Sequence, residues 1–309
     1  MTSVARTLMA VAMLAQTAHG VIGPVHAATE RQAVIWPQGM SFVGLTDQGW
    51  RLYVVKDRKL GPVPVELTAE PRTPVYSPSL NLVVYISPTG DVIQRDMKTG
   101  NESVAIHHQS GNAYTQPFLS PQRKSLILVK MIHAKSRQTQ IVEYGLTNNT
   151  TKIVSHQRSA QFEPFVNNST LYYTNVQCVE NCAGRYIHEI WKKDLISQDA
   201  QQLTLQNTLT HQPVVSTDER FVFVTSEKAG GRRIWKCTLE TAPPLKCKPI
   251  ETTAVADTSP ALDRQSQLYF IRLQSDGKQQ IIRYIPDGQA LELPLPGGVT
   301  EIRDLEISQ

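Results

Sequence analysis

The sequence lacks several features that would assign it directly to a class. It has no apolar run of the roughly 20 residues that a membrane-spanning helix needs, and the run near its start covers only residues 8–15. The motifs Gly-x-Ser-x-Gly, Gly-x-x-x-x-Gly-Lys, Gly-x-Gly-x-x-Gly and His-Glu-x-x-His are all absent. We therefore predict no stable membrane insertion, no catalytic residues and no cofactor.

An excess of charge of one sign is also missing. The formal net charge is +4 at pH 7, and the basic residues are dispersed. The densest basic group is Arg232, Arg233 and Lys236, which falls within one predicted hairpin and is typical of a solvated strand face. The sequence therefore does not predict a nucleic-acid partner.

The first residues resemble an export signal. Arg6 is followed by the apolar run 8–15, and Val25, His26 and Ala27 place small residues where a signal peptidase cleaves. No cysteine occurs before Cys178, so a lipid anchor is not expected. We predict a signal peptide over residues 1–28 and a periplasmic or secreted mature protein.

Cysteine is scarce, and its few positions are paired locally. Cys178 and Cys182 are separated by three residues, and Cys237 and Cys247 flank a Pro-Pro turn signal. In an exported chain, such pairs predict disulfides within hairpins. Neither spacing fits the Cys-x-x-Cys knuckle of a zinc site, so no metal is predicted.

A repeat organises the rest of the chain. A proline opens a short apolar strand at five places, which are Pro74, Pro117, Pro164, Pro213 and Pro260. These prolines are 43, 47, 49 and 47 residues apart. This period matches a four-stranded β-propeller blade of about 40–50 residues.

Each anchor is followed by a polar turn and then by a β-branched and aromatic run, such as residues 82–86 or 221–224. A third segment alternates with period two, as in residues 233–236, and a short fourth segment follows. No stretch sustains a 3.6-residue period. The chain is therefore predicted to be all-β.

The two ends of the chain complete the predicted ring. Residues before Pro74 show second, third and fourth strands but no convincing first strand, whereas residues 302–308 resemble an anchor strand with Asp304 in place of proline. We predict one six-bladed domain over residues 29–309, closed by the C-terminal strand, because closure removes open sheet edges. The predicted blades are 36–70 with 302–309, 71–110, 113–156, 161–206, 210–252 and 257–300.

The Pro-x-x-Ser-Pro anchor at residues 74–78 and the Ile-Trp-Lys third strands resemble the WD40-like (PD40) repeats of the TolB-type propeller family. The resemblance covers residues from about 40 to 309, although the family's Asp-Gly after Ser-Pro is replaced here. It implies the propeller part only. We expect neither the α/β domain that precedes the TolB propeller nor the hydrolase domain of prolyl oligopeptidase-like enzymes.

In a propeller the first strand of each blade lines the central channel, so the residue before each anchor approaches the axis. The predicted ring is Arg303, Thr73, Gln116, Glu163, Gln212 and Ser259, in blade order. Every member is polar, which fits either a water-filled tunnel or a mouth that recognises a peptide or small polar ligand.

These observations favour an exported interaction scaffold that binds an envelope protein or peptide and acts as a monomer. An alternative is a propeller enzyme, a lyase or hydrolase that acts on a glycan or small molecule at the channel mouth. A non-catalytic ligand-binding propeller is a further alternative. The absence of catalytic motifs makes an enzyme the less favoured class.

Overall fold

The computed structural model describes residues 34–132, 138–177, 186–228, 230–285 and 289–308. Within these residues the regular elements are strands. In chain order, the first twelve are β1 (Met40–Thr46), β2 (Gly49–Asp57), β3 (Gly61–Val65), β4 (Arg72–Ser77), β5 (Leu82–Ile86), β6 (Val92–Asp96), β7 (Glu102–Ile106), β8 (Asn112–Ser120), β9 (Ser125–Ile132), β10 (Thr139–Gly145), β11 (Thr151–His156) and β12 (Ala160–Asn167). The second twelve are β13 (Thr170–Gln177), β14 (Ile187–Asp194), β15 (Ala200–Gln202), β16 (Thr210–Val215), β17 (Phe221–Ser226), β18 (Arg233–Thr238), β19 (Lys246–Pro249), β20 (Ala256–Leu262), β21 (Leu268–Leu273), β22 (Gln279–Ile285), β23 (Gln289–Leu293) and β24 (Glu301–Ile307).

The strands form six antiparallel sheets of four strands each, which confirms the predicted six-bladed propeller. Five blades are consecutive meanders, from β4–β7 to β20–β23, and we number them blades 2 to 6. The described residues contain no helix, so none of them forms a helix that could cross a membrane.

Blade 1 is built from both ends of the chain, as predicted. Its strand order is β24-β1-β2-β3, and β24 pairs with β1 in antiparallel register from Met40 opposite Ile307 to Leu45 opposite Glu301. The closing strand buries Ile302, Leu305 and Ile307 against the rest of blade 1 and against blade 6. The C-terminal strand therefore supplies the innermost strand of blade 1 and closes the ring.

The hydrophobic core is divided into six clusters, one at each junction between adjacent blades. Strand β5 shows how the sequence produces this arrangement. Its side chains alternate between faces, so Val83 and Tyr85 pack towards blade 1 while Val84 and Ile86 pack towards blade 3. Each fully buried apolar side chain contributes about 1.5–3 kcal/mol. Both faces of every blade are therefore needed for stability.

Cys237 and Cys247 form a disulfide with an S–S distance of 1.99 Å. The two residues are opposite each other in the register of β18 and β19, within blade 5. The other predicted pair, Cys178 and Cys182, lies outside the described residues. The predicted signal peptide also lies outside them.

Candidate functional site

The innermost strand of every blade carries a bulge at the same place. In blade 2, Arg72 pairs with Ile86 and Val75 pairs with Val84, so Thr73 and Pro74 together oppose one residue of β5. The inner strands of the other five blades skip two residues in the same way. A bulge leaves its extra residue unpaired and turns the strand, and it is one of the few places in a sheet that accept proline. The anchor prolines mark these bulges.

The first bulge residue of each blade has a left-handed backbone, with φ between 44° and 56°. We call these six residues the ring: Asp304, Thr73, Gln116, Glu163, Gln212 and Ser259, in order of blades 1 to 6. None is glycine, although this conformation costs a residue with a Cβ about 1 kcal/mol or more. Such strain persists only where the surrounding structure enforces it.

The predicted ring is corrected at one position. Five of its members occupy the ring, but blade 1 contributes Asp304 instead of Arg303. The reason is that Leu305, not Asp304, takes the place of the anchor proline, which moves the bulge by one residue along the strand.

Arg303 instead points away from the channel axis. Its guanidinium lies over the ring of Trp50, 4.2 Å from the centroid, and its Nη2 is 3.0 Å from Glu70 Oε1. Its Nε is also 3.6 Å from Asp304 Oδ2. Arg303 therefore links blade 1 to the connection into blade 2 and supplies no cation to the channel.

Hydrogen bonds run around the ring from blade to blade. The backbone N–H of Glu163 donates to Gln116 Oε1 at 2.9 Å, and that of Gln212 donates to Glu163 Oε2 at 2.7 Å. Likewise, the backbone N–H of Ser259 donates to Gln212 Oε1 at 3.1 Å. Each side chain thus holds the bulge of the next blade.

A bond of the same kind joins blade 1 to blade 2, where the backbone N–H of Thr73 donates to Asp304 Oδ2 at 3.3 Å. Among the described residues, no matching bond runs from Thr73 to Gln116 or from Ser259 to Asp304. Threonine and serine are the two ring residues with short side chains, and Thr73 Oγ1 is buried without a partner. The length of the side chain therefore explains where the bonds stop.

The ring surrounds a central channel of about 180 Å³. A second layer of side chains lies two residues beyond the ring in each inner strand. Each member is the first paired residue after the bulge, and it faces the same cavity or packs beside it. This layer consists of Glu306, Val75, Phe118, Phe165, Val214 and Ala261. A polar ring therefore lies next to an apolar layer that a single carboxylate interrupts.

The carboxylate of Glu163 has three protein partners. Besides the N–H of Gln212, it accepts from the Thr174 hydroxyl at 2.7 Å and contacts His211 Nδ1 at 3.2 Å. Burial alone would raise its pKa, but the hydrogen bonds and the electrostatic effect of His211 hold the pKa of Glu163 below its ordinary value. Glu163 is therefore an ionised and well-partnered acid.

A second histidine approaches this group. His188 and His211 meet edge to face with ring centroids 6.4 Å apart, although they belong to different blades. Burial and the neighbouring His211 lower the pKa of His188. Within the described residues, no group of three or more His, Cys, Asp or Glu side chains is arranged to hold a metal ion. Sequence reasoning did not find this pair, because no short-range spacing links the two positions.

The two acids that blade 1 places in the channel, Asp304 and Glu306, have raised pKa values, in contrast to Glu163. Burial raises the pKa of Asp304, while Arg303 partly offsets this effect. Burial, with a smaller contribution from the charge of Asp304, raises the pKa of Glu306 to about 8. Glu306 has no hydrogen-bond or ion-pair partner among the described residues. It was not among the predicted site residues.

A wider depression lies where the inner strands end. It encloses about 580 Å³. Its walls are the turns between first and second strands in blades 2 to 6, with Leu80, Gln122, Asn168, Thr217 and Arg264 among the lining residues. We call this depression the mouth. Its lining mixes amide, hydroxyl and guanidinium groups, which suits hydrogen bonding to a polar chain.

No protein-family model matches the chain, and comparison with curated proteins finds no match. Solved structures are similar in fold. TolB from Acinetobacter baumannii has a TM-score of 0.68 at 14% identity, and the match covers 86% of this chain and 65% of that chain. This chain thus spans less than two thirds of that TolB.

Two further structures show how widely the fold is shared. A putative TolB from Agrobacterium tumefaciens has a TM-score of 0.57 at 14% identity, covering 83% of this chain and 89% of that chain. An oligogalacturonate lyase in complex with manganese has a TM-score of 0.58 at 11% identity, covering 82% of this chain and 73% of that chain. At these identities the similarity concerns the fold: the chain is a six-bladed propeller similar to those of TolB.

Proposed function

We propose that this chain is an exported, TolB-like interaction scaffold that binds a protein or peptide segment in the central channel and its mouth. The observation that carries the proposal is the ring. Six residues with a Cβ are held in a strained conformation at equivalent positions. Strained backbone clusters at functional sites, where the surrounding structure maintains it. A rigid ring is a preorganised surface, which reduces the entropic cost of binding.

The chemistry of the channel suits a polypeptide. Ring side chains offer amide, hydroxyl and carboxylate groups to a backbone, while the neighbouring Phe118, Phe165 and Val214 offer apolar contacts. Ligand sites in proteins commonly combine such apolar walls with a few placed polar groups. The volume of about 180 Å³ in the channel accommodates only a few side chains. We therefore propose an inserted segment, with the rest of the partner resting on the mouth.

The proposed location is the periplasm or the exterior, reached by means of the signal peptide at residues 1–28. The disulfide between Cys237 and Cys247 supports an oxidising compartment. We propose that the protein acts as a monomer with an envelope partner, without a nucleic acid or a cofactor.

Site-specific photo-crosslinking tests this proposal. A benzoylphenylalanine residue would replace Phe165 in the channel, Asn168 at the mouth, or Ile153, which is exposed on the outer strand β11. We expect a discrete adduct with one envelope protein or peptide from the first two positions and not from Ile153. Adducts from Ile153 alone, or equal labelling at all three positions, would refute channel binding.

A second candidate is an enzyme that acts at the channel mouth. The half-buried His188 and His211, with Glu163 beside them, are the observation that favours it. Metal analysis of the purified protein discriminates between the two functions. Stoichiometric metal that is lost in His188→Ala or His211→Ala would favour the enzyme, and metal-free protein that binds its partner would favour the scaffold.

A further inference from the structure

Glu306 is the exception in the second layer of the channel. The five other blades place Val75, Phe118, Phe165, Val214 and Ala261 at its position. A carboxylate there loses hydration without gaining a favourable environment. An acid in an otherwise apolar layer is unfavourable for folding, so it calls for a functional explanation.

The other enclosed carboxylates of the described residues all have partners. Glu143 accepts from Arg123 at 2.9 Å and from Lys152 at 2.9 Å. Asp257 accepts hydrogen bonds from Nε and Nη2 of the Arg272 guanidinium, at 2.8 Å and 3.0 Å. Buried charges in proteins are normally paired in this way. Glu306, which is partly buried and faces the channel, has no such partner in the part of the chain that the structure describes.

A second polar group beside Glu306 is also unpartnered. Ser41 lies directly opposite Glu306 in the pairing of β1 with β24, so the two side chains project from the same face of the blade. Ser41 is 0% exposed, and its hydroxyl has no hydrogen-bond partner. The equivalent positions of blades 2 and 3 are the apolar Val84 and Ile127. Blade 1 thus replaces an apolar cross-strand pair with two polar groups that lack partners.

We propose that Glu306, with Asp304 beside it in the ring, forms a subsite that receives the ammonium or guanidinium group of a lysine or arginine. This residue would belong to the polypeptide bound in the channel, so the inference rests on the proposed function and specifies the chemistry of its ligand. Both acids line the cavity. No lysine, arginine or histidine of the described residues lines it with them.

The surroundings fit an organic cation better than a metal ion. A calcium ion takes six to eight oxygen ligands. Of the three carboxylates that line the channel, Glu163 is already held by its own partners, which leaves two next to proline and other apolar side chains. Lysine and arginine carry their charge on a long aliphatic stem, which packs on apolar walls while the head pairs with an acid. The channel supplies both parts of that interaction.

The proposal has a pH signature that follows from the electrostatics of the subsite. The strands packed against β24 carry Asp257 with Arg272, which neutralise each other, as well as Arg72 in β4 and Arg283 in β22. Strand β24 itself carries Arg303 beside Asp304. Across the channel, Glu163 is paired with His211. Within the described residues, Asp304 is the charged group that acts on Glu306. A bound cation would displace the proton that Glu306 retains near neutral pH, so affinity is expected to rise from pH 6.5 to pH 8.5.

Selection from a displayed library of random linear peptides tests the inference. The full-length mature protein would be used as wild type, as Glu306→Gln and as Glu66→Gln, which removes the same charge from the exposed outer edge of the same blade. Synthetic versions of the enriched peptides, with the basic residue or with norleucine in its place, would then be titrated by calorimetry at pH 8.5 and 6.5. Thermal unfolding would establish that each variant is folded.

We expect peptides with a lysine or arginine at one fixed position. Their affinity should fall about tenfold or more in Glu306→Gln and stay unchanged in Glu66→Gln. Replacing the basic residue of the peptide with norleucine should lower its affinity for wild type by the same factor and leave its affinity for Glu306→Gln unchanged. Enriched peptides without a basic residue, or full affinity in Glu306→Gln, would overturn the cation subsite but not channel binding. A selection that enriches no peptide over the bare support would overturn both proposals.

Discussion

The carboxylate of Glu163 accepts the backbone N–H of Gln212 at 2.7 Å, so the ring residue of one blade holds the ring residue of the next. The same carboxylate contacts Thr174 and His211. One acid thus joins the inner strand of blade 4 to its own second strand and to blade 5.

Replacing Glu163 with alanine is expected to lower the free energy of unfolding by about 2–4 kcal/mol, because three donors lose their acceptor. Since the folded-state pKa of Glu163 lies below its unfolded value, its stabilisation is present above the unfolded pKa. It is lost as the pH falls through the lower folded pKa. Urea denaturation of both proteins at several pH values should therefore show the difference shrinking in acid.

The matched control is Glu240→Ala, which removes an acid paired with Arg220 on the exposed surface. Exposed ion pairs contribute little, so this change should cost within about 0.5 kcal/mol. Equal losses in the two variants would contradict the role given to the ring bonds.

Glycine substitution separates strain from bonding within the ring. Ser259 and Gln212 have φ values of 54° and 56°, but only Gln212 holds the next blade through its side chain. Glycine relieves a left-handed conformation, so Ser259→Gly should change the free energy of unfolding by about 1 kcal/mol or less. Gln212→Gly should be less stable than Ser259→Gly by about 1–2 kcal/mol. Denaturation curves in which the two variants coincide would refute the contribution of the hydrogen bond.

The disulfide is expected to stabilise blade 5 without being required for closure. Cys237 and Cys247 close a short loop, with a sequence separation of 10, for which chain entropy predicts about 3 kcal/mol. The double variant Cys237→Ala/Cys247→Ala should unfold at a lower temperature but still in one cooperative transition by calorimetry. Separate transitions for different blades would show that the disulfide contributes to ring integrity.

Removal of the closing strand should open the ring. A chain that ends at residue 300 loses β24 and exposes the partners of Ile302, Leu305 and Ile307. The lost burial is about 5 kcal/mol or more, which is comparable to the whole stability of many domains. Circular dichroism should show no cooperative unfolding.

Addition of a synthetic peptide of residues 298–309 in trans should restore cooperative unfolding, because a strand can add to an open sheet edge. A scrambled peptide is the control. If the truncated chain unfolds cooperatively without the peptide, ring closure by β24 is not needed for folding.

The unpaired Glu306 is expected to give a distinctive dependence of stability on pH. Its folded pKa is about 8, above that of an unfolded glutamate. The folded state therefore keeps a proton that the unfolded state has lost, and stability falls as the pH rises from about 4.5 to 8. The full effect amounts to at most about 5 kcal/mol above that range.

The variant Glu306→Gln should remove this loss, so it should be more stable than wild type at pH 9 and similar to it at pH 4. Chemical denaturation across that range measures the difference. A difference that does not depend on pH would show that Glu306 ionises normally in the folded protein.

Much of the fold could be predicted from the sequence because the repeat is marked by proline. Each anchor proline occupies the second position of a bulge, one of the few sites in a sheet that tolerate it. Blade 1 has no such marker, and Leu305 replaces the proline, which explains why Arg303 was predicted in place of Asp304. The predicted position of the closing strand is confirmed, because residues 302–308 resemble an anchor strand and follow Pro260 at the spacing of the repeat.

The candidate site was predictable only in part. The polar ring follows from the residue before each proline, whereas its hydrogen bonds depend on side-chain length and on the spacing of the blades. Glu306 could have been found, because the position two residues beyond the ring is apolar in the other five blades. The meeting of His188 with His211 arises from packing between blades and leaves no local signal.

The two gaps in the hydrogen bonds of the ring divide the disc into unequal arcs. Blades 3 to 6 form one continuous arc from Gln116 to Ser259, and blades 1 and 2 form the other through Asp304 and Thr73. At the two seams between these arcs, the described residues hold the inner strands together by side-chain packing, with no ring bond among them. The arc that carries Asp304 and Glu306 is thus joined to the other arc by packing at both of its ends, so a change in channel width at these two seams would break none of the ring hydrogen bonds.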